Sequence, residues 1–202
     1  MLMQKIRRST QKNRKILLII VAILAVGLVG SFAVWNSGDY NKNAGVTATT
    51  EDQISMYEKY IADTTPADGA MDYDTASKLA NYYSQLVTLY NTAYNEKLAA
   101  SDASGAAEYQ QKAANAAGKA AEYYQFQLDN RPENMNDYAI ALLMGSRAQM
   151  LSLTGDMDTA RDLYQQAMGM SPENIDVAEK YVGFIYSQDG LEAAQEIGRA
   201  HV

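Results

Sequence analysis

Hydrophobic positions along this chain fall into two regimes. From Ile16 to Trp35 they form a mostly apolar run of twenty residues without a charge, and beyond about residue 50 they recur at three- and four-residue spacing. No stretch alternates with the period of two that a half-buried strand requires. At about 1.5 Å per residue the first run reaches roughly 30 Å, the thickness of a bilayer core. A backbone crossing that layer must satisfy its own hydrogen bonds, so residues 16–35 are expected to form a transmembrane helix. The second regime predicts an all-α domain over residues 51–195.

Within that domain the pattern predicts five to six helices around one elongated core. Residues 36–50, rich in Gly, Asn and Thr without an apolar period, read as a linker. Thr50-Glu51-Asp52 opens a short helix with the stripe Ile54, Tyr57 and Ile61. A loop from Thr64 to Tyr73 carries Pro66 and Gly69, after which Asp74 is expected to cap a long helix to about Ala100. Its stripe is Leu79, Tyr83, Leu86, Tyr90, Ala93 and Tyr94. A second long helix, to about Asn130, presents Ala113, Ala117, Ala120, Ala121, Tyr124 and Leu128. An alanine-rich face buries little area by itself, so it must pack closely on the tyrosine-rich helix before it. Helices are expected near residues 137–153 and 157–170. A further one starts at Ile175 with Ala178, Tyr181, Val182 and Ile185, then turns at Asp189-Gly190.

Residues 141–174 carry a more specific pattern. Ala148 and Ala160 are small where two helices would cross, and Tyr164 would fill the gap between them. Leu151 and Ala167 add apolar positions at the same spacing. Gly155, in Thr154-Gly155-Asp156, supplies the left-handed residue of a reversal. Pro172 is expected to open the next helix behind a Ser171 cap. This spacing resembles the tetratricopeptide repeat, a pair of antiparallel helices that stacks into α-α superhelical arrays. Against the pattern W-x2-L-G-x2-Y…A-x3-F…P, Met144 stands at the Trp, Arg147 at the Leu, Ala148 at the Gly, Leu151 at the Tyr and Tyr164 at the Phe. Arg147 alone changes the chemistry of its position, which directs it to water or to the preceding helix. A second copy ends at Pro132, where Arg131-Pro132-Glu133-Asn134 parallels Ser171-Pro172-Glu173-Asn174 and lays Ala120 on Ala160 and Tyr124 on Tyr164. The alternative is an ordinary antiparallel bundle with a coincidental Pro-Glu-Asn.

Charge sets the topology. Residues 1–15 hold six bases and no acid, a basic tail that keeps the N-terminus in the cytoplasm, and Trp35 suits the far interface. A cleaved signal peptide with Val29-Gly30-Ser31 at its cleavage site competes with this reading. The apolar run exceeds the usual 7–15 residues of a signal, which favours an uncleaved anchor. From Asn36 onward the 17 bases of the chain less those six leave 11, against 24 acids, a balance of −13. Such a surface disfavours nucleic acid and anionic headgroups and suits an exported domain. The absence of cysteine from the sequence excludes disulfides, thiolate zinc sites and thiol catalysis, and fits bacterial export. The expected location is therefore a bacterial cytoplasmic membrane, single-pass, with the helical domain outside the cytoplasm.

Candidate chemistry is sparse. Asp68, Asp72 and Asp74 lack the ligand order of a calcium loop and read as turn and cap residues. The tyrosines recur at helical spacing, which favours core packing over an aromatic cradle. No Walker loop, HExxH, GxSxG or paired-carboxylate constellation occurs, so no catalytic, metal or cofactor site is expected. What the repeat resemblance implies instead is protein binding on the inner face lined by the first helix of each pair. Carried onto this chain, that face selects Leu142, Gln149, Ser152, Asp176, Glu179 and Tyr186. Asp176 and Glu179 lie one turn apart, which suits a basic peptide; a solvated helix face is the alternative. The expected function is a membrane-anchored scaffold or adapter in envelope assembly or secretion. The alternative is the anchored regulatory front of a longer enzyme.

The last seven residues, Glu196 to Val202, are what GAG ATC GGA AGA GCA CAC GTC encodes, with TGA as the next codon. From its second base that string resembles a common short-read sequencing adapter. Residues 196–202 are thus read as a scar behind a frame truncated near Gln195, although a natural helix end with a late arginine has the same composition. On this reading His201 carries no chemistry. Tyr181, Ile185, Leu191 and Ala194 are expected to lack part of their covering helix.

Overall fold

The computed structural model describes residues 48–191 and 193–195. The basic tail, the apolar span 16–35, most of the linker and the segment 196–202 lie outside the described residues. Six helices are described: α1 (Thr50–Thr64), α2 (Tyr73–Ala99), α3 (Ala103–Asp129), α4 (Asp137–Thr154), α5 (Met157–Met170) and α6 (Ile175–Asp189). None of them is long and apolar enough to cross a membrane.

Each helix opens on a side chain that accepts from the backbone N–H three residues on. The caps are Thr49, Asp72, Asp102, Asn136, Asp156 and Asn174, at 2.7–3.3 Å. Thr49 and Asp52 form a reciprocal capping box. Asp74, expected to cap α2, instead sits in its first turn; Asp72 has the extended backbone (φ −116°, ψ 173°) that a cap requires. Ser171 and Pro172 do not open α6. Pro172 occupies a turn closed by the Asn174 N–H on the Ser171 carbonyl, and α6 starts only after Asn174.

The two hairpins α2–α3 and α4–α5 share one reversal. In the first, Ser101 takes φ 60° and the Asp102 N–H reaches the Lys97 carbonyl at 2.9 Å. In the second, Gly155 takes φ 94° and the Asp156 N–H reaches the Leu151 carbonyl at 3.1 Å. A left-handed residue followed at once by an aspartate cap closes one helix and opens the next within two positions.

The helices pack as sequential antiparallel pairs. The alanine face of α3 meets α2 closely enough that Ala117 and Ala120 lose all exposure, as do Ala76, Leu79 and Ala80 opposite. Tyr83 and Tyr94, read as core, are half-buried; Ala76, Ala80 and Val87 take the inner positions because the close approach favours smaller groups. The displaced rings stack between helices, Tyr83 on Tyr123 at 5.7 Å. Tyr90 donates to Glu58 of α1 at 2.9 Å, and its burial together with that carboxylate pushes the phenol well above its ordinary range. The helix α4 has six successive apolar residues, Ala139 to Met144, and no clean polar face. It therefore needs neighbours on several sides. It packs on α3, α5 and α6, and its Met150 sulfur lies 3.9 Å from the Ser84 hydroxyl of α2.

Candidate peptide-binding face

The pair α4–α5 holds the residues singled out for repeat packing. Ala148, Ala160 and Ala167 are fully buried at the crossing, and Tyr164 is 1 % exposed. The Tyr164 ring stacks on Tyr181 of α6 at 5.4 Å and meets Phe184 at the same distance. Its environment is apolar enough that burial alone drives the phenol far above its ordinary range. Leu151 bridges the two hydrophobic clusters of the domain. Tyr181, Ile185 and Ala194, expected to lack cover, are buried in this core, and Leu191 alone of that group is exposed. The Tyr181 ring packs on Tyr164, and Ile185 and Ala194 belong to the same core cluster.

The approach of α6 to α4 depends on Gly145. A Cβ there would stand 3.1 and 3.3 Å from the two methyls of Val177. Asn174, with no exposure, ties the same junction: its Oδ1 accepts from Val177 N–H, and its Nδ2 donates to the Tyr138 carbonyl at 3.1 Å. The Tyr138 hydroxyl in turn donates to Asp176 at 3.4 Å. Tyr138 and Asp176 each stand two residues after their cap, 38 positions apart. The cap-to-cap period is therefore 38, whereas the prolines are 40 apart. In the second helices the proline register lays Ala120 on Ala160, both fully buried, and the half-buried Tyr124 on the buried Tyr164. That register slips by two residues after the proline: Asn174 caps α6, but Asn136 rather than Asn134 caps α4.

Of the six proposed contact residues, Leu142, Gln149 and Ser152 lie half-buried on α4, and Asp176, Glu179 and Tyr186 are exposed on α6. Ser152 donates to the Gln149 carbonyl within its own helix at 2.8 Å. Asp176 is brought to α4 through Tyr138, one turn from Leu142. The acidity of α6 is partly offset by Lys180: burial holds its ammonium below the usual lysine range, and Asp176 and Glu179 pull it back up. Two acids and one base leave a local charge of −1. Tyr138, Gly145, Asn174 and Lys180 do not stand out in the sequence as contact residues. The signal for Tyr138 and Asn174 is the spacing between caps, and Gly145 becomes significant only once Val177 is opposite.

The geometry defines an all-α domain of sequential antiparallel helix pairs in which α4 touches α3, α5 and α6. No protein-family model matches the chain, and no curated protein or solved structure matches it either.

Proposed function

We propose that this chain is a membrane-anchored scaffold of the tetratricopeptide type, held outside the cytoplasm of a bacterium, that binds other proteins or peptides on the α4–α6 face. The observation that carries the reading is the contact of α4 with α5 and with α6 together. A stack of helix pairs is built on that relation, which a three-helix bundle of α4, α5 and α6 shares. Supporting it are the uncharged run from Ile16 to Trp35 behind six bases, and the acidic balance of the chain from Asn36 onward. The ligand is a peptide with basic character, read against Asp176 and Glu179, with Leu142 and Tyr186 supplying apolar contact. The test uses the full chain in cells, with a photo-crosslinking residue at Gln149, at Tyr186, or at the exposed Gln110 of α3. The reading expects a discrete protein adduct from Gln149 and Tyr186 that weakens in the double variant Asp176→Asn, Glu179→Gln. Adducts of equal yield from Gln110, or none from α4 and α6, would exclude this face as the binding surface.

A further inference from the structure

Arg147, the one chemical departure from the repeat pattern, lines an open cleft of about 510 Å³ where α3, α4 and α5 meet. Leu128, Met144 and Leu163, one from each helix, are buried and make its apolar floor. Arg131, on the loop after α3, and Asp162 of α5 stand on its rim. Three arginines occur among the described residues. Arg161 is committed, with its Nη1 2.8 Å from an Asp189 oxygen and its guanidinium over Phe184. The other two have no ion-pair partner among the described residues, and both line this cleft. Arg131 gives one N–H to the Leu128 carbonyl at 2.5 Å and keeps its remaining donors. The Nε of Arg147 is buried with no hydrogen-bond partner among the described residues. A guanidinium presents its donors as a rigid planar fork that matches a carboxylate in two parallel bonds. In a domain whose acids outnumber its bases, two guanidiniums without an ion-pair partner over one apolar floor oppose the sign of the domain's net charge.

We propose that this cleft docks an acidic segment of a partner protein, with a glutamate or aspartate side chain on Arg147 and Arg131 and an aliphatic neighbour on the floor of Leu128, Met144 and Leu163. Asp162 limits the site to one carboxylate, because a second on the α5 side meets a like charge. The site goes beyond the scaffold reading, since it uses other residues and a ligand of opposite charge, and it does not require the anchor.

The test is fluorescence polarisation on the full chain in nanodiscs, with a fluorescein-labelled capped peptide of alternating leucine and glutamate. The same peptide with glutamine for glutamate serves as the control. At least tenfold tighter binding of the glutamate peptide is expected, with the preference lost in Arg147→Gln and intermediate in Arg147→Lys, which keeps the charge without the fork. Asp162→Asn, at an exposed rim position, should tighten the glutamate peptide severalfold, which keeps the test decisive if Arg147→Gln fails to fold. Equal binding of the two peptides, no binding, or an unchanged preference in Arg147→Gln would overturn the proposal. So would a concentration-dependent dimer that Arg147→Gln dissolves, since a second copy would then fill the cleft. None of these outcomes touches the crosslinks from Gln149 and Tyr186, so the two readings fail separately.

Discussion

Asn174 uses both ends of its amide, one to cap α6 and one to hold the α4 backbone at Tyr138. Asn174→Ala removes a cap and the bond to the Tyr138 carbonyl, and should lower stability by about 2 kcal/mol. Asn134→Ala, at the position that sequence alone pairs with it, is exposed and caps nothing, so its denaturation midpoint should stay at the parent value. Equal losses in urea titrations of the two variants would restore the proline register and remove the cap register. Asp72 tests the electrostatic side of capping. The Thr75 N–H and hydroxyl hold its carboxyl below the ordinary 3.8. A carboxyl so depressed adds stability that is full above its unfolded pKa and is lost as pH falls through the lower, folded value. Asp72→Asn keeps the cap without the charge, so its melting temperature should match the parent at pH 7 and fall less steeply between about pH 4 and pH 2. An unchanged acid limb would show that Asp72 does not titrate as described.

Among the helices and turns, the two hairpin reversals make a paired prediction. Ser101 and Gly155 occupy the same left-handed position, which costs an L-residue about 1–2 kcal/mol. Gly155→Ala should therefore destabilise by about 1–2 kcal/mol although no atom lies within 4 Å of the new methyl. Ser101→Gly should stabilise by about 0.5–1 kcal/mol once the added freedom of the unfolded chain is counted. The same sign for both variants in thermal melts would mean the turns are not equivalent. The α4–α6 junction gives a second contrast. Gly183→Ala meets open space and should gain about 0.5–1 kcal/mol of helix propensity. Gly145→Ala meets Val177 and should lose that gain to overpacking, for a net cost of up to about 2 kcal/mol. Stabilisation of Gly145→Ala equal to that of Gly183→Ala would separate α4 from α6. These elements also show what a sequence discloses. Helix positions and most of the caps lie beside polar residues at breaks in a 3.6-residue period, because capping and periodicity are local. Ser101 gives no sign, since a left-handed non-glycine has no residue type of its own. Gly145 and Arg147 are opaque for a different reason: their roles are set by Val177 and by α3 and α5, partners that only packing identifies.

For the whole molecule, the helical pairs present two faces of opposite character. The α4–α6 face carries Asp176 and Glu179, and the α3–α5 cleft carries Arg131 and Arg147. On the function proposed above, the chain acts only where its partners are, and that function requires the apolar run from Ile16 to Trp35 to hold the helical domain on the outer side of a bacterial membrane. The direct measurement is protease accessibility of the full chain, tagged at its C-terminus, in intact spheroplasts. The tag should be lost without detergent, with a small N-terminal fragment left in the membrane pellet. Protection of the tag until detergent is added would reverse the orientation, and recovery of the intact tagged domain from the soluble periplasmic fraction would refute the anchor.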